Sequence, residues 1–214
     1  MRRSFRRHSG GAAFAYVMVW MLSLAAVVAF SEPLPLPNKP IPWRSAYMVG
    51  FPDSYDTIGF ICATGPFEAY TARHVVDALG GHMAWKQGVN GGRLRLAERW
   101  EKRDLARVIT DLPFPVWAHV AKLPPEQGST VWGPNRLDAD DARPIMLQAQ
   151  ILGLDDADSL IASGPAAFGG SGGCGWNEQG EVIAINFALL LPGQQQPYLR
   201  VVFEPLWGDW RTKR

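Results

Sequence analysis

Cysteine is nearly absent from this chain, and histidine is scarce. Only Cys62 and Cys174 occur, with no C-x-x-C pair and no H-x-x-x-H pair. That excludes the common zinc frameworks, and neither a metal nor any other cofactor is expected. Neither charge sign is in excess: 21 Lys and Arg against 20 Asp and Glu leave a net charge of +1. Such a balance gives no electrostatic footprint for nucleic acid or for a strongly acidic partner. No internal repeat recurs at a fixed period, which excludes solenoids and propellers. Nine tryptophans are many for 214 residues, but they follow no period. They read as core and surface fillers.

Long apolar runs are missing too, except at the N-terminus. Arg2, Arg3, Arg6 and Arg7 precede an uncharged apolar stretch from Ala13 to Phe30, about 18 residues long. This is the layout of a signal peptide, with Ala29-Phe30-Ser31 offering small residues for cleavage before Glu32. The length also reaches the short end of a membrane-spanning helix. Residues 1–31 are therefore a signal peptide or a signal anchor, and an uncleaved run at 13–30 would tether the protein to the membrane. Both forms export the domain, to the periplasm or beyond. Residues 32–45 hold five prolines, which favour an extended polyproline spacer over a packed element. Residues 46–214 form one domain.

Within that domain the pattern is short apolar runs broken by Gly, Pro, Asn and Asp, as in an all-β sandwich or barrel. Gly92-Arg93-Leu94-Arg95-Leu96 alternates like a half-buried strand. A helical turn is expected at Val75 to Gly80, and a short terminal helix at Glu204 to Arg214.

Three segments carry chemistry: Thr71-Ala72-Arg73-His74-Val75-Val76, Arg103-Asp104-Leu105-Ala106 and Gly169-Gly170-Ser171-Gly172-Gly173. A base, an acid and a glycine-flanked serine are what a serine nucleophile requires for acyl transfer. Their order discriminates between folds. The glycine-flanked serine also satisfies the G-x-S-x-G elbow of α/β-hydrolases, whose histidine follows the serine. The four histidines here are His8, His74, His82 and His119, and none follows Ser171. The subtilisin order needs an aspartate before the histidine. Beyond the spacer only Asp53 and Asp56 qualify, in the turn-like Phe51-Pro52-Asp53-Ser54-Tyr55-Asp56. The order His, Asp, Ser remains. Asp111 rivals Asp104, but it stands two residues before Pro113 and reads as a turn. Asp104 opens an apolar strand, where a carboxylate can be buried beside an imidazole. The glycines around Ser171 let a turn aim two N–H groups at one point. Those of Gly169 and Ser171 would form an oxyanion hole, worth about 3 kcal/mol per donor.

These segments resemble the T-A-A-H, D-[IL]-A and G-[DN]-S-G-G motifs of trypsin-like serine peptidases. Glu181-Val182-Ile183-Ala184-Ile185-Asn186 resembles the strand after the serine in bacterial HtrA-type members. The resemblance spans roughly residues 46 to 207. It implies two packed antiparallel six-stranded β-barrels of the chymotrypsin type. His74 and Asp104 would come from the first barrel and Ser171 from the second, and no PDZ domain is expected. The implied activity is hydrolysis of peptide bonds in protein or peptide substrates through an acyl-enzyme. A non-catalytic tethered scaffold on the same fold and an esterase are the alternatives. The specificity pocket would have its base near Pro165 and Ala166, with Asn186 and Phe187 on its wall. No charge lies at that base, so Arg or Lys is not the expected preference. Cys62 and Cys174 would approach each other, either as a disulfide or as two buried thiols. Gly170 departs from the animal enzymes, whose Asp at that position pairs with a newly cut N-terminus. The sequence leaves the oligomeric state open.

Overall fold

The computed structural model describes residues 39–54, 56–87, 90–136, 144–164, 169–190 and 200–207. The apolar N-terminal segment, Pro165 and Ala166 lie outside the described residues. Residues 39–45, the end of the proline-rich stretch expected as a spacer, touch the folded domain at several points although Lys39, Pro40, Trp43 and Arg44 stay exposed. Lys39 N–H donates to Glu178 O at 3.2 Å, Ile41 packs on the core, and Trp43–Ser45 forms a 3-10 turn with Ser45 wholly buried.

Twelve strands close two antiparallel barrels, as the resemblance implies. The first contains β1 (Ala46–Gly50), β2 (Thr57–Ala63), β3 (Glu68–Thr71), β4 (Met83–Gln87), β5 (Asn90–Trp100) and β6 (Leu105–Thr110). Their order around the barrel is β1-β2-β3-β6-β5-β4. One helix, α1 (Arg73–Ala78), follows β3. The second contains β7 (Thr130–Arg136), β8 (Pro144–Leu154), β9 (Leu160–Ser163), β10 (Cys174–Trp176), β11 (Val182–Leu190) and β12 (Arg200–Pro205), ordered β10-β11-β12-β9-β8-β7. Closure leaves neither barrel with an unpaired long edge.

Each barrel fills with the inward residues of its strands. Tyr47, Trp85 and Phe114 pack ring against ring in the first, with centroids 5.0 to 5.3 Å apart. The Tyr47 hydroxyl donates to Val116 O at 2.8 Å, and Trp85 Nε1 donates to Thr110 Oγ1 at 3.1 Å. Burial raises the Tyr47 pKa against the lowering effect of the Val116 N–H, which donates to the hydroxyl oxygen at 2.9 Å. Val131, Ile151, Leu160, Ile183, Val201 and Phe203 fill the second. A third cluster joins the barrels: Phe60, Tyr70, Trp100 and Leu105 meet Trp132, Trp176, Val182 and Leu206. A fully buried large apolar side chain contributes about 1.5–3 kcal/mol, so this seam makes the two barrels one structural unit.

Two local expectations change. Leu94 and Leu96 share a face by alternation, yet Leu94 is 3% exposed and Leu96 44%. β4 pairs with β5 only as far as Leu94, and the β5–β6 register slips just after Leu96. Leu96 has therefore outrun its cover. The terminal helix expected from Glu204 does not begin there. Glu204 and Pro205 end β12, which is paired with β11 on one side and β9 on the other. Trp207 packs on the second barrel, and Trp210 lies outside the described residues.

Candidate active site

The histidine segment is set by strand pairing. β3 pairs with β6, with Thr71 opposite Ala106. The residues just beyond this pair, His74 and Asp104, thus become neighbours despite a separation of 30 positions. Thr71 is buried and donates its hydroxyl to Phe60 O at 2.7 Å. Ala72 is extended, α1 starts at Arg73, and the buried Val75 and Val76 anchor that short helix. His74 is left at the surface, its side chain 48% exposed.

Asp104 closes a turn ahead of β6, whose first residues, Leu105 and Ala106, are wholly buried. Its carboxylate grips His74 twice. Oδ1 accepts the His74 backbone N–H at 2.9 Å, and Oδ2 lies 2.5 Å from Nδ1. A carboxylate at Nδ1 favours the tautomer with the proton there, leaving Nε2 as the free base. Burial pushes the Asp104 carboxyl up, but the side-chain and backbone bonds from His74, with the charges of His74 and Arg73, hold it below its ordinary value. Arg73 secures the same turn by donating to Glu101 O at 2.7 Å. Asp111 is exposed in a turn after β6, and His82 and His119 are exposed.

The serine loop is held by backbone instead. Ser171 O accepts the Phe60 N–H of β2 at 2.8 Å. Gly172 N–H donates to Asn186 O at 2.6 Å, Asn186 N–H donates to Gly173 O at 2.9 Å, and Gly173 N–H donates to Gly170 O at 3.1 Å. The loop is thus bonded to both barrels. Glycine is required where it meets the first: a Cβ on Gly172, at φ +83°, would stand 2.0 Å from Phe60 O. Among the described residues, the N–H groups of Gly169 and Ser171 have no backbone acceptor. The Ser171 hydroxyl likewise has no hydrogen bond to His74 among them.

Gly170 has a packing reason as well. A Cβ there would lie 2.8 Å from Asn186 Nδ2 and 3.2 Å from Asn135 Nδ2. The space that an acid before the serine would enter is filled by two buried amides. Asn186, expected on the pocket wall, is 7% exposed and supports the loop from beneath. Phe187 is partly buried and packs on the core of the first barrel.

Of the two states open to the cysteines, the bonded one is realised. Cys62 of β2 and Cys174 of β10 form a disulfide with S–S 2.06 Å and Cα–Cα 5.0 Å. It fastens the barrels together three residues beyond Ser171. Among the described residues no cluster of His, Cys, Asp and Glu could hold a metal ion.

Sequence reasoning missed Gly59, Asn135 and Glu204. A Cβ on Gly59 would come within 2.6 Å of Ser171 O. Glu204 accepts the Asp104 backbone N–H at 3.2 Å. Only Glu204 left a legible sign, a lone acid inside the apolar run Val201 to Leu206.

No protein-family model matches the chain, and no curated protein matches it. Solved structures do. The MamO protease domain of Magnetospirillum magneticum superposes with a TM-score of 0.62 at 16% identity, covering 77% of this chain and 93% of that one. The Rv3671c protease of M. tuberculosis H37Rv, in an inactive form, gives 0.62 at 16% identity over 81% and 93%. The HtrA-type protease AlgW, with a decapeptide, gives 0.58 at 14% identity over 76% and 61%. The chain has the two-barrel fold of trypsin-like serine proteases.

Proposed function

We propose that this protein is an exported serine endopeptidase. Ser171 Oγ attacks the carbonyl carbon of a peptide bond while His74 Nε2 takes its proton. The N–H groups of Gly169 and Ser171 receive the developing oxyanion. His74 then gives the proton to the leaving amine, and the acyl-enzyme is hydrolysed by a water that His74 activates in turn. Asp104 keeps the proton on Nδ1 and stabilises the imidazolium. The observation that carries this reading is the double grip of Asp104 on His74, beside a serine loop bonded to the same barrel. The residue before the serine is glycine with amides beneath it, so activity requires no charge pair at that position. An uncharged pocket base, which the sequence resemblance assigns to Pro165 and Ala166, would favour a small or medium apolar side chain in the substrate.

The disulfide supports export, since such bonds persist in oxidising compartments. The apolar run at 13–30 would carry the domain across the membrane and, if uncleaved, anchor it there. Assay of the purified protein on a peptide panel tests the activity. Cleavage after uncharged residues, abolished in Ser171→Ala, is expected; equal cleavage by the variant would refute it. Turnover of esters with no cleavage of any peptide would favour the esterase reading. The missing hydroxyl–imidazole bond favours a non-catalytic scaffold, but such bonds often tighten only with substrate bound. A wild-type protein inert toward both substrate classes would support the scaffold.

A further inference from the structure

We propose that Glu204 is a positioning residue for Asp104, a carboxylate from the second barrel that fixes the acid-bearing turn of the first. The inference rests on reading His74, Asp104 and Ser171 as a triad. Alternation along β12 sends Val201 and Phe203 into the second barrel and turns Glu204 outward. That outward face is covered by the first barrel, so Glu204 is only 6% exposed. A buried carboxylate is costly unless it is paired. Glu204 has two partners on one short turn: Oε1 accepts the Asp104 backbone N–H at 3.2 Å, and Oε2 lies 3.6 Å from Arg103 Nη1.

The turn needs such an anchor. Both carboxylate oxygens of Asp104 are committed to His74, so its own backbone must be held by something else. Arg73 secures the start of the turn through Glu101 O, and Glu204 secures its end. Displacement of a catalytic group by about 1 Å can cost on the order of 100-fold in rate. The charged groups facing Glu204 are Arg103 and Asp104 on the turn and Asp155 beyond β8; Arg73 and His74 of α1 face Asp104 itself. Burial raises the Glu204 pKa above its ordinary value, with the Asp104 N–H and Arg103 pulling it back down.

Two variants separate positioning from bulk stability. Glu204→Met keeps the length of the side chain and removes the acceptor. Glu204→Gln keeps an acceptor and removes the charge. The readouts are the rate of labelling by a fluorophosphonate probe against pH and the downfield Nδ1–H proton resonance of His74. The Met variant is expected to label about 10–100-fold more slowly and to lose or broaden the resonance. The Gln variant is expected to stay within about threefold of wild type at neutral pH. Its acid limb should move to lower pH, because a negative charge behind the imidazolium is gone while Arg103 and Arg73 remain. Wild-type labelling with an unchanged resonance in the Met variant would overturn the proposal. If that variant does not fold, an unshifted acid limb in the Gln variant would do so. Ser171→Ala serves as control: persistent labelling there would overturn the triad reading, while the resonance would still report on Glu204 by itself.

Discussion

The two halves of the site are organised by different forces. The half from the first barrel is joined through side chains, with Asp104 clasping His74 by two hydrogen bonds. Among the described residues, the half from the second barrel is held through backbone: Ser171, Gly172 and Gly173 are tied by main-chain groups, and the Ser171 hydroxyl is not bonded to His74. Charge and tautomer are therefore fixed in the first half, and the position of the backbone in the second. A substitution in the first half should alter chemistry with little effect on the fold. One in the second should alter the fold and carry the chemistry with it.

The largest expected effect tests the first half. Asp104→Asn keeps the shape but offers an amide to Nδ1, which favours the wrong tautomer. Turnover should fall by about 10⁴-fold while the melting temperature changes little. A loss below tenfold would show that His74 does not depend on this acid.

The next tests the second half. Gly172→Ala puts a Cβ against Phe60 O in a left-handed backbone conformation. A cost of roughly 3–5 kcal/mol is expected from strain and overpacking together, read from denaturant midpoints. Unchanged stability would mean that the loop does not depend on its contact with β2. A smaller effect is expected from the link between the halves. Replacing Cys62 and Cys174 by alanine opens a covalent loop with a sequence separation of 112. It should cost about 2–4 kcal/mol, since the cross-link chiefly restricts the unfolded chain.

The smallest effect separates the two acids, Asp104 and Glu204, by the sign of their pH dependence. Asp104 has a depressed pKa in the fold, so its contribution is full above its unfolded value and is lost as pH falls through the folded one. Glu204 has a raised pKa, so its contribution is full below its unfolded value and is lost as pH rises through the folded one. Urea midpoints against pH should show the gap between wild type and Asp104→Asn narrowing toward acid. The gap between wild type and Glu204→Gln should shift in favour of the variant as pH rises. Parallel curves would contradict both assignments.

How far the sequence reaches follows the same division. The barrels were legible because short apolar runs between turn residues, with three motifs in one order, admit few folds. His74, Asp104 and Ser171 were legible as candidates for the proposed site because each stands in a short local motif. Contacts made only by strand pairing were not. Asn135 and Asn186 meet beneath Gly170 from β7 and β11, and Glu204 reaches Asp104 across 100 positions. No local pattern encodes either juxtaposition. The exposed Leu96 escaped for the same reason, since its burial depends on how far β4 runs alongside.

The proposed activity turns on Ser171 as a nucleophile that His74 activates. Labelling the folded protein with a fluorophosphonate and locating the adduct by mass spectrometry tests it most directly. One adduct is expected, on Ser171, absent from Ser171→Ala and strongly reduced in His74→Ala. An adduct on another residue, or equal labelling of Ser171→Ala, would contradict it.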